Sequence, residues 1–277
     1  MVIHRHLMHL LATSAVLLGA CASSDGGQAI NRGDFNLLSL DDEWQLGDRL
    51  EQTIHGEVPV VHDYVAQAYF DRLGLSLIGG TEMGELPWSF EIANDPELGG
   101  FCLPGGRVYL STGLIESTDT ASELAAAFAH VSSHGIARHA TEKLSRAYGV
   151  NFLGDLAIGE NREAYHEVLT RLASGGSLGR YTTTEELEAD RLGVRALIHA
   201  GYDPSGMRVF LSKMLDRCSR GTAGSARFCS AHPVSEERLK ALEEVLAALP
   251  PDPARLADEP NYHAFKKRLE RVAPTTR

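Results

Sequence analysis

Apolar residues recur along most of the chain at the 3.6-residue spacing of amphipathic helices, and seven stretches carry that pattern. They cover residues 39–55, 61–73, 121–139, 162–173, 184–199, 204–216 and 234–246. The first opens on Ser39, three residues before Asp42, the spacing of a capping box. The second lays Val65, Ala68, Tyr69 and Leu73 on one stripe. Two short segments break the helical rhythm. Trp88, Phe90 and Ile92 alternate with polar neighbours and predict a strand, which Asp95-Pro96 and Gly99-Gly100 are expected to end. Arg107, Val108, Tyr109, Leu110 and Ser111 predict a second strand after the Pro104-Gly105-Gly106 turn. Many helices around a small sheet, without an internal repeat or an internal membrane-length apolar run, predict a single α+β domain over residues 36–277.

The first twenty residues read differently. A weakly basic start (His4, Arg5, His6) leads into an apolar run from Leu7 to Leu18, too short to span a bilayer and of the length of a signal h-region. It closes on Leu18-Gly19-Ala20-Cys21, which resembles a bacterial lipobox with Cys21 as the lipidated residue. Ala22 rather than Asp follows, as in signals sorted to the outer membrane. Residues 21–35 are polar and rich in Gly and Ser, the composition of a tether. The expected location is therefore the periplasmic face of the outer membrane.

Composition narrows the partners. The formal net charge is −11 over 277 residues, and an acidic chain lacks the basic face that nucleic-acid phosphates require. Apolar residues make up 43%, ordinary globular composition. An oxidising compartment permits disulfides. Cys218 and Cys229 bound a short loop and are the expected pair, which leaves Cys102 as a small buried thiol rather than a nucleophile.

The chemistry concentrates on two of the helices. His130 and His134 lie four residues apart, so on a helix both imidazoles share one face and can reach one ion. The segment TTTEELEADRLG adds carboxylates. Glu186 and Asp190 share a face, whereas Glu188 lies roughly 200° around the helix from Glu186 at ~100° per residue. One carboxylate can join two histidines on a zinc ion with a fourth position open, while another orients a ligand ring from behind. The same residues are also compatible with a histidine pair without metal and a solvated acidic helix start.

Four segments, FCLPGGRVYLSTGLIE, SELAAAFAHVSSHGIARH, EELEADRLGVRALIHAGYDP and AHPVSEERLKAL, then follow in one order. In this order and spacing the chain resembles the gluzincin metallopeptidases of peptidase family M48, the HtpX, BepA, LoiP and mitochondrial Oma type. The resemblance implies a zincin-like domain with its small sheet at the active-site edge, holding one Zn2+ on His130, His134 and Glu186. It implies that Asp190 orients a ligand histidine and that His232 lies near the metal, where it can occupy or gate the open position. It assigns Arg107–Ser111 to the edge strand that pairs with an extended substrate. His139 reads as a structural hydrogen-bonder.

Two departures qualify this picture. Gly99-Gly100 stands where the family carries Asn-Ala, and Val131 stands where it carries the glutamate that moves protons during hydrolysis. Neither departure removes a metal ligand. Three readings follow. The chain is a zinc-holding member of the family with little or no proteolysis, binding unfolded or misassembled envelope proteins or peptides. Alternatively it is an active zinc endopeptidase that recruits another acid. Alternatively it is a metal-free structural or interaction module.

Overall fold

The computed structural model describes residues 35–158, 162–173 and 178–273. The leader, Cys21 and the tether through residue 34 lie outside the described residues. Helix α1 (Leu40–Ile54) begins where Ser39 accepts a hydrogen bond from the Asp42 backbone N–H. Helix α2 (Tyr64–Ile78) starts three residues later than its apolar pattern does. Residue 61 is instead tied to the sheet, its N–H donating to the Ile92 carbonyl, and Asp63 caps the helix by accepting from the Ala66 N–H.

Three strands follow: β1 (Ser89–Ala93), β2 (Gly100–Leu103) and β3 (Arg107–Ser111). Their order is β1-β3-β2, with β1 parallel and β2 antiparallel to β3. This corrects two expectations. Gly99-Gly100 does not end the sheet but opens a third strand, because antiparallel pairing with Leu110 and Tyr109 satisfies its backbone. Arg107, Val108, Tyr109, Leu110 and Ser111 are not the edge strand but the central one, buried throughout and paired on both sides. A strand with both ladders filled has no free backbone groups for a substrate. The edge on this side is β2. Gly105 and Gly106 make the β2–β3 turn at φ of 75° and 70°, a region that glycine enters without steric cost.

Helix α3 (Thr112–Glu116) leaves the sheet, and α4 (Ala121–Ile136) runs buried along its whole length. Arg138, at φ 56°, ends that helical course before His139, so the stretch expected to run to 139 divides there. Helix α5 (His139–Ile158) is kinked at Gly149, and α6 (Arg162–Ala173) follows. Helices α7 (Thr183–His199), α8 (Ser205–Ser219), α9 (Ala226–Ala231), α10 (Glu236–Ala247) and α11 (Pro260–Val272) complete the described chain. A disulfide joins Cys218 at the end of α8 to Cys229 in α9, and Cys102 is a buried free thiol. The larger apolar cluster gathers α2, the sheet, α3, α4, α7, α8, α10 and α11. A second forms where α1, α5 and α6 close over Tyr109 and Leu103. No helix among the described residues is long and apolar enough to cross a membrane. The architecture is mostly helical with a small mixed sheet, the α+β class expected.

Candidate metal centre

Helix α4 supplies His130 and His134 from consecutive turns, and both rings are buried. Helix α7 lies against it. Its start is set by a reciprocal cap between Thr182 and Glu185, so Glu186 falls in its opening turns and Asp190 one turn deeper, on the same face. His232 arrives from the end of α9, three residues past the Cys229 disulfide. One donor atom from each of His130, His134, Glu186 and His232 lies within 4.8 Å of the others.

The contacts are specific. His130 Nε2 is 3.4 Å from Glu186 Oε2 and 3.3 Å from His232 Nδ1. His232 Nδ1 is 3.1 Å from Glu186 Oε1. His134 Nε2 is 3.5 Å from Glu186 Oε1 and is a buried nitrogen with no hydrogen-bond partner. Such an orphan is rare and costly unless something absent from the protein chain completes it. Three imidazoles and a carboxylate suit zinc and its neighbours in the first transition row. The residues therefore fit a metal ion.

The surrounding groups aim the donors. His130 Nδ1 lies 3.0 Å from Asp190 Oδ1, so its proton belongs on that side and its Nε2 lone pair faces the cluster. His232 Nε2 donates to the Gly100 carbonyl at 3.2 Å, which leaves Nδ1 as the lone pair. Arg238 forks onto Asp190, with Nε at 3.0 Å from Oδ2 and Nη2 at 2.9 Å from Oδ1, and its Nη1 also contacts Glu186. Burial alone would raise the Glu186 carboxyl, but the charged surroundings, the Arg238 guanidinium among them, hold the group ionised, below the usual carboxylate range. Burial depresses His134 and His232, which favours the neutral, ligating form of each ring. Burial pushes the Cys102 thiol up, consistent with an inert packing role.

Val131, between the two α4 histidines, is fully buried. A Cβ added to Gly100 would come within 2.9 Å of its Cγ2. Its hydrocarbon thus lies directly beneath edge strand β2. In that strand Phe101 and Leu103 face the ladder with β3, as the Ser111 N–H bond to the Gly99 carbonyl implies for an antiparallel pair. The backbone groups of Gly100 and Cys102 turn the other way. An apolar cavity of about 170 Å³ adjoins them, walled by Phe101, Tyr109, Leu169, Leu172, Tyr181 and His232.

All four residues expected near a metal, together with Asp190, converge; the 107–111 strand lies behind β2, and its Tyr109 shares the apolar cavity with His232. Three participants escaped sequence reading. Arg238 stood unmarked six residues after His232. Tyr181, stacked on His134 at 3.6 Å between ring centroids, carries no motif. Glu188 was set aside as pointing around the helix, yet it reaches His139 at 3.3 Å. A further acidic group, Glu51, His55 and Glu91, is partly exposed, and its Glu51 is already engaged by Ser89 and Arg107.

Comparison with known proteins bears on this centre. The family described as peptidase family M48 matches residues 65–246. The chain is 32% identical over 249 residues to the beta-barrel assembly-enhancing protease of Escherichia coli strain K12, covering 83% of this chain and 50% of that protein. It is 29% identical over 241 residues to the protein of the same name from Yersinia pestis, at 84% and 49% coverage. It is 29% identical over 225 residues to the mitochondrial metalloendopeptidase OMA1 of Schizosaccharomyces pombe, at 78% and 64%. The chain thus spans about half the length of the two assembly-enhancing proteases.

Proposed function

The chain belongs to peptidase family M48, and from that premise we propose that it is a zinc-holding outer-membrane lipoprotein whose proteolysis is lost or strongly impaired. In this reading His130, His134 and Glu186 hold one Zn2+, and His232 occupies or gates the fourth position. The tautomers implied by Asp190 and by the Gly100 carbonyl support those roles for His130 and His232. Bound there, zinc would supply Lewis acidity toward a peptide carbonyl.

Peptide hydrolysis also needs a group that accepts a proton and returns one to the leaving amine. The side chain after His130 is a valine buried under β2, and this single observation carries the proposal. Among the described residues the carboxylates that touch the cluster are Glu186 and Asp190, and both are committed to Arg238 and the histidines. What remains is capacity to bind. The outward backbone groups of β2, other than the Gly100 carbonyl that His232 already engages, can pair with an extended chain, and the adjoining apolar cavity can take a side chain. Unfolded or misassembled envelope proteins or peptides present such segments. The leader of residues 1–20, followed by Cys21, supports an envelope address with a lipid anchor, and the net charge of −11 argues against nucleic acid.

The test pairs the wild type with Val131→Glu. The wild type should hold one zinc per chain and show no chelator-sensitive cleavage of casein. Restoring the carboxylate should raise cleavage by about 10²- to 10⁴-fold, the usual worth of a general base. A wild type that cleaves as fast as the variant, with chelator stopping both, would overturn the loss of activity. A wild type that holds no zinc would overturn the metal assignment.

A further inference from the structure

His130 and His232 each turn their rear nitrogen toward an acceptor, but His134 does not. Its Nδ1 lies 2.9 Å from Nδ1 of His139, another imidazole. A histidine facing a histidine leaves open which nitrogen carries the proton. The next group settles the question. His139 Nε2 lies 3.3 Å from Oε2 of Glu188, and an ionised carboxylate only accepts hydrogen bonds. His139 must therefore carry its proton on Nε2, so a neutral His139 offers a lone pair at Nδ1. His134 must then donate from Nδ1, and its remaining lone pair falls on Nε2, the orphaned nitrogen aimed at Glu186.

We propose that Glu188, through His139, sets the tautomer of His134 and so points its lone pair into the metal centre. The inference rests on the reading that this centre holds a metal. The three elements are well placed for the task. His139 is buried at the first residue of α5, just after the Arg138 turn that breaks the helical course. Tyr181 stacks on the His134 ring at an interplanar angle of 17° and keeps it in the plane that the relay requires. Glu188 is about one-third exposed at the far end, so it can be changed without disturbing the core. The relay also explains why Glu188 faces away from Glu186 on α7: the two carboxylates serve the same histidine from opposite sides. Glu188 and His139 are positioning residues; neither enters the four-donor cluster.

The decisive comparison uses three Glu188 variants of the full chain and zinc affinity measured by chelator competition. Glu188→Gln keeps an acceptor and should bind zinc within about threefold of wild type. Glu188→Ala removes the acceptor and should weaken binding about tenfold, at the low end for groups behind a ligand. Glu188→Lys presents a donor, favours the opposite tautomer at both rings, and should weaken binding more than Ala does. Nitrogen-15 NMR of the zinc-loaded wild type should show His134 protonated at Nδ1 and His139 at Nε2. Equal affinities across the three variants, or His139 protonated at Nδ1, would overturn the relay. Loss of zinc binding in the wild type itself would instead overturn the metal assignment on which it rests.

Discussion

Gly100, of the Gly99-Gly100 pair, lies over Val131 with no room for a side chain between them. A Cβ at position 100 would lie 2.9 Å from Val131 Cγ2 and 2.9 Å from Leu110 Cδ2, closer than packed carbon atoms tolerate. The glycine is therefore needed here for close approach and not for its backbone angles. Gly100→Ala should cost about 1–3 kcal/mol by overpacking. Val131→Ala should cost about 1.6 kcal/mol for two lost methyl equivalents, at ~0.8 kcal/mol each. The double variant should be more stable than the sum of the two costs by at least ~0.5 kcal/mol, measured from urea midpoints. Strict additivity would mean that the two positions relax independently. At this scale the sequence spoke clearly about donors and poorly about their supports. His130 and His134 share a helix face by i,i+4 spacing, as do Glu186 and Asp190, but only the family resemblance turned three of these into a ligand set. Arg238 and Tyr181 reach the centre from other helices and loops, and no local spacing reports a tertiary contact.

Element by element, the same division holds. Helices α4 and α7 were readable because apolar stripes and end caps are local properties, and the structure moves their bounds by only a few residues. Strand β2 was not, because two glycines that punctuate a chain also permit an edge strand to lie close over α4. The edge role given to 107–111 came from the family resemblance, and β2 takes that position instead. Helix α2 shows how an end is decided. Asp63 caps it and also receives the Arg268 guanidinium of α11, with Nη2 at 2.7 Å. The Arg268 hydrogen bonds, with the Ala66 cap, lower the Asp63 carboxyl from 3.8 to about 2. A depressed carboxyl stabilises the fold above its unfolded value and loses that contribution as pH falls through the folded one. The stability gap between wild type and Arg268→Ala, followed by urea denaturation, should therefore be constant above about pH 4 and shrink toward pH 2. A gap that does not change with acid would show that Arg268 acts through packing alone.

Across the whole molecule, the centre is where distant parts of the chain are held together. His130 and His232 are 102 residues apart, and Asp190 and Arg238 are 48 apart. An ion held by both histidines would close a long loop and bind only the folded state, so it must stabilise by mass action. At a free zinc concentration 100 times Kd the gain is about 2.7 kcal/mol. For a domain of this size that corresponds to about 5–10 °C in Tm. Chelation should lower Tm by that order in the wild type and leave His134→Ala unmoved. The loss should also be local. The cluster joining α1, α5 and α6 packs through Leu46, Leu50, Leu144 and Val168, away from the four donors. The α9–α10 segment is also held by the Cys218–Cys229 disulfide and by Phe228 and Leu242 in the larger cluster, but the stretch between its two helices is tied to the centre through His232 and Arg238. Hydrogen exchange after chelation should therefore accelerate in residues 226–238 while α1 keeps its protection. Uniform acceleration across both clusters would mean that the metal sustains the entire fold. No change in either would mean that the histidine–carboxylate–arginine network holds these helices together without an ion.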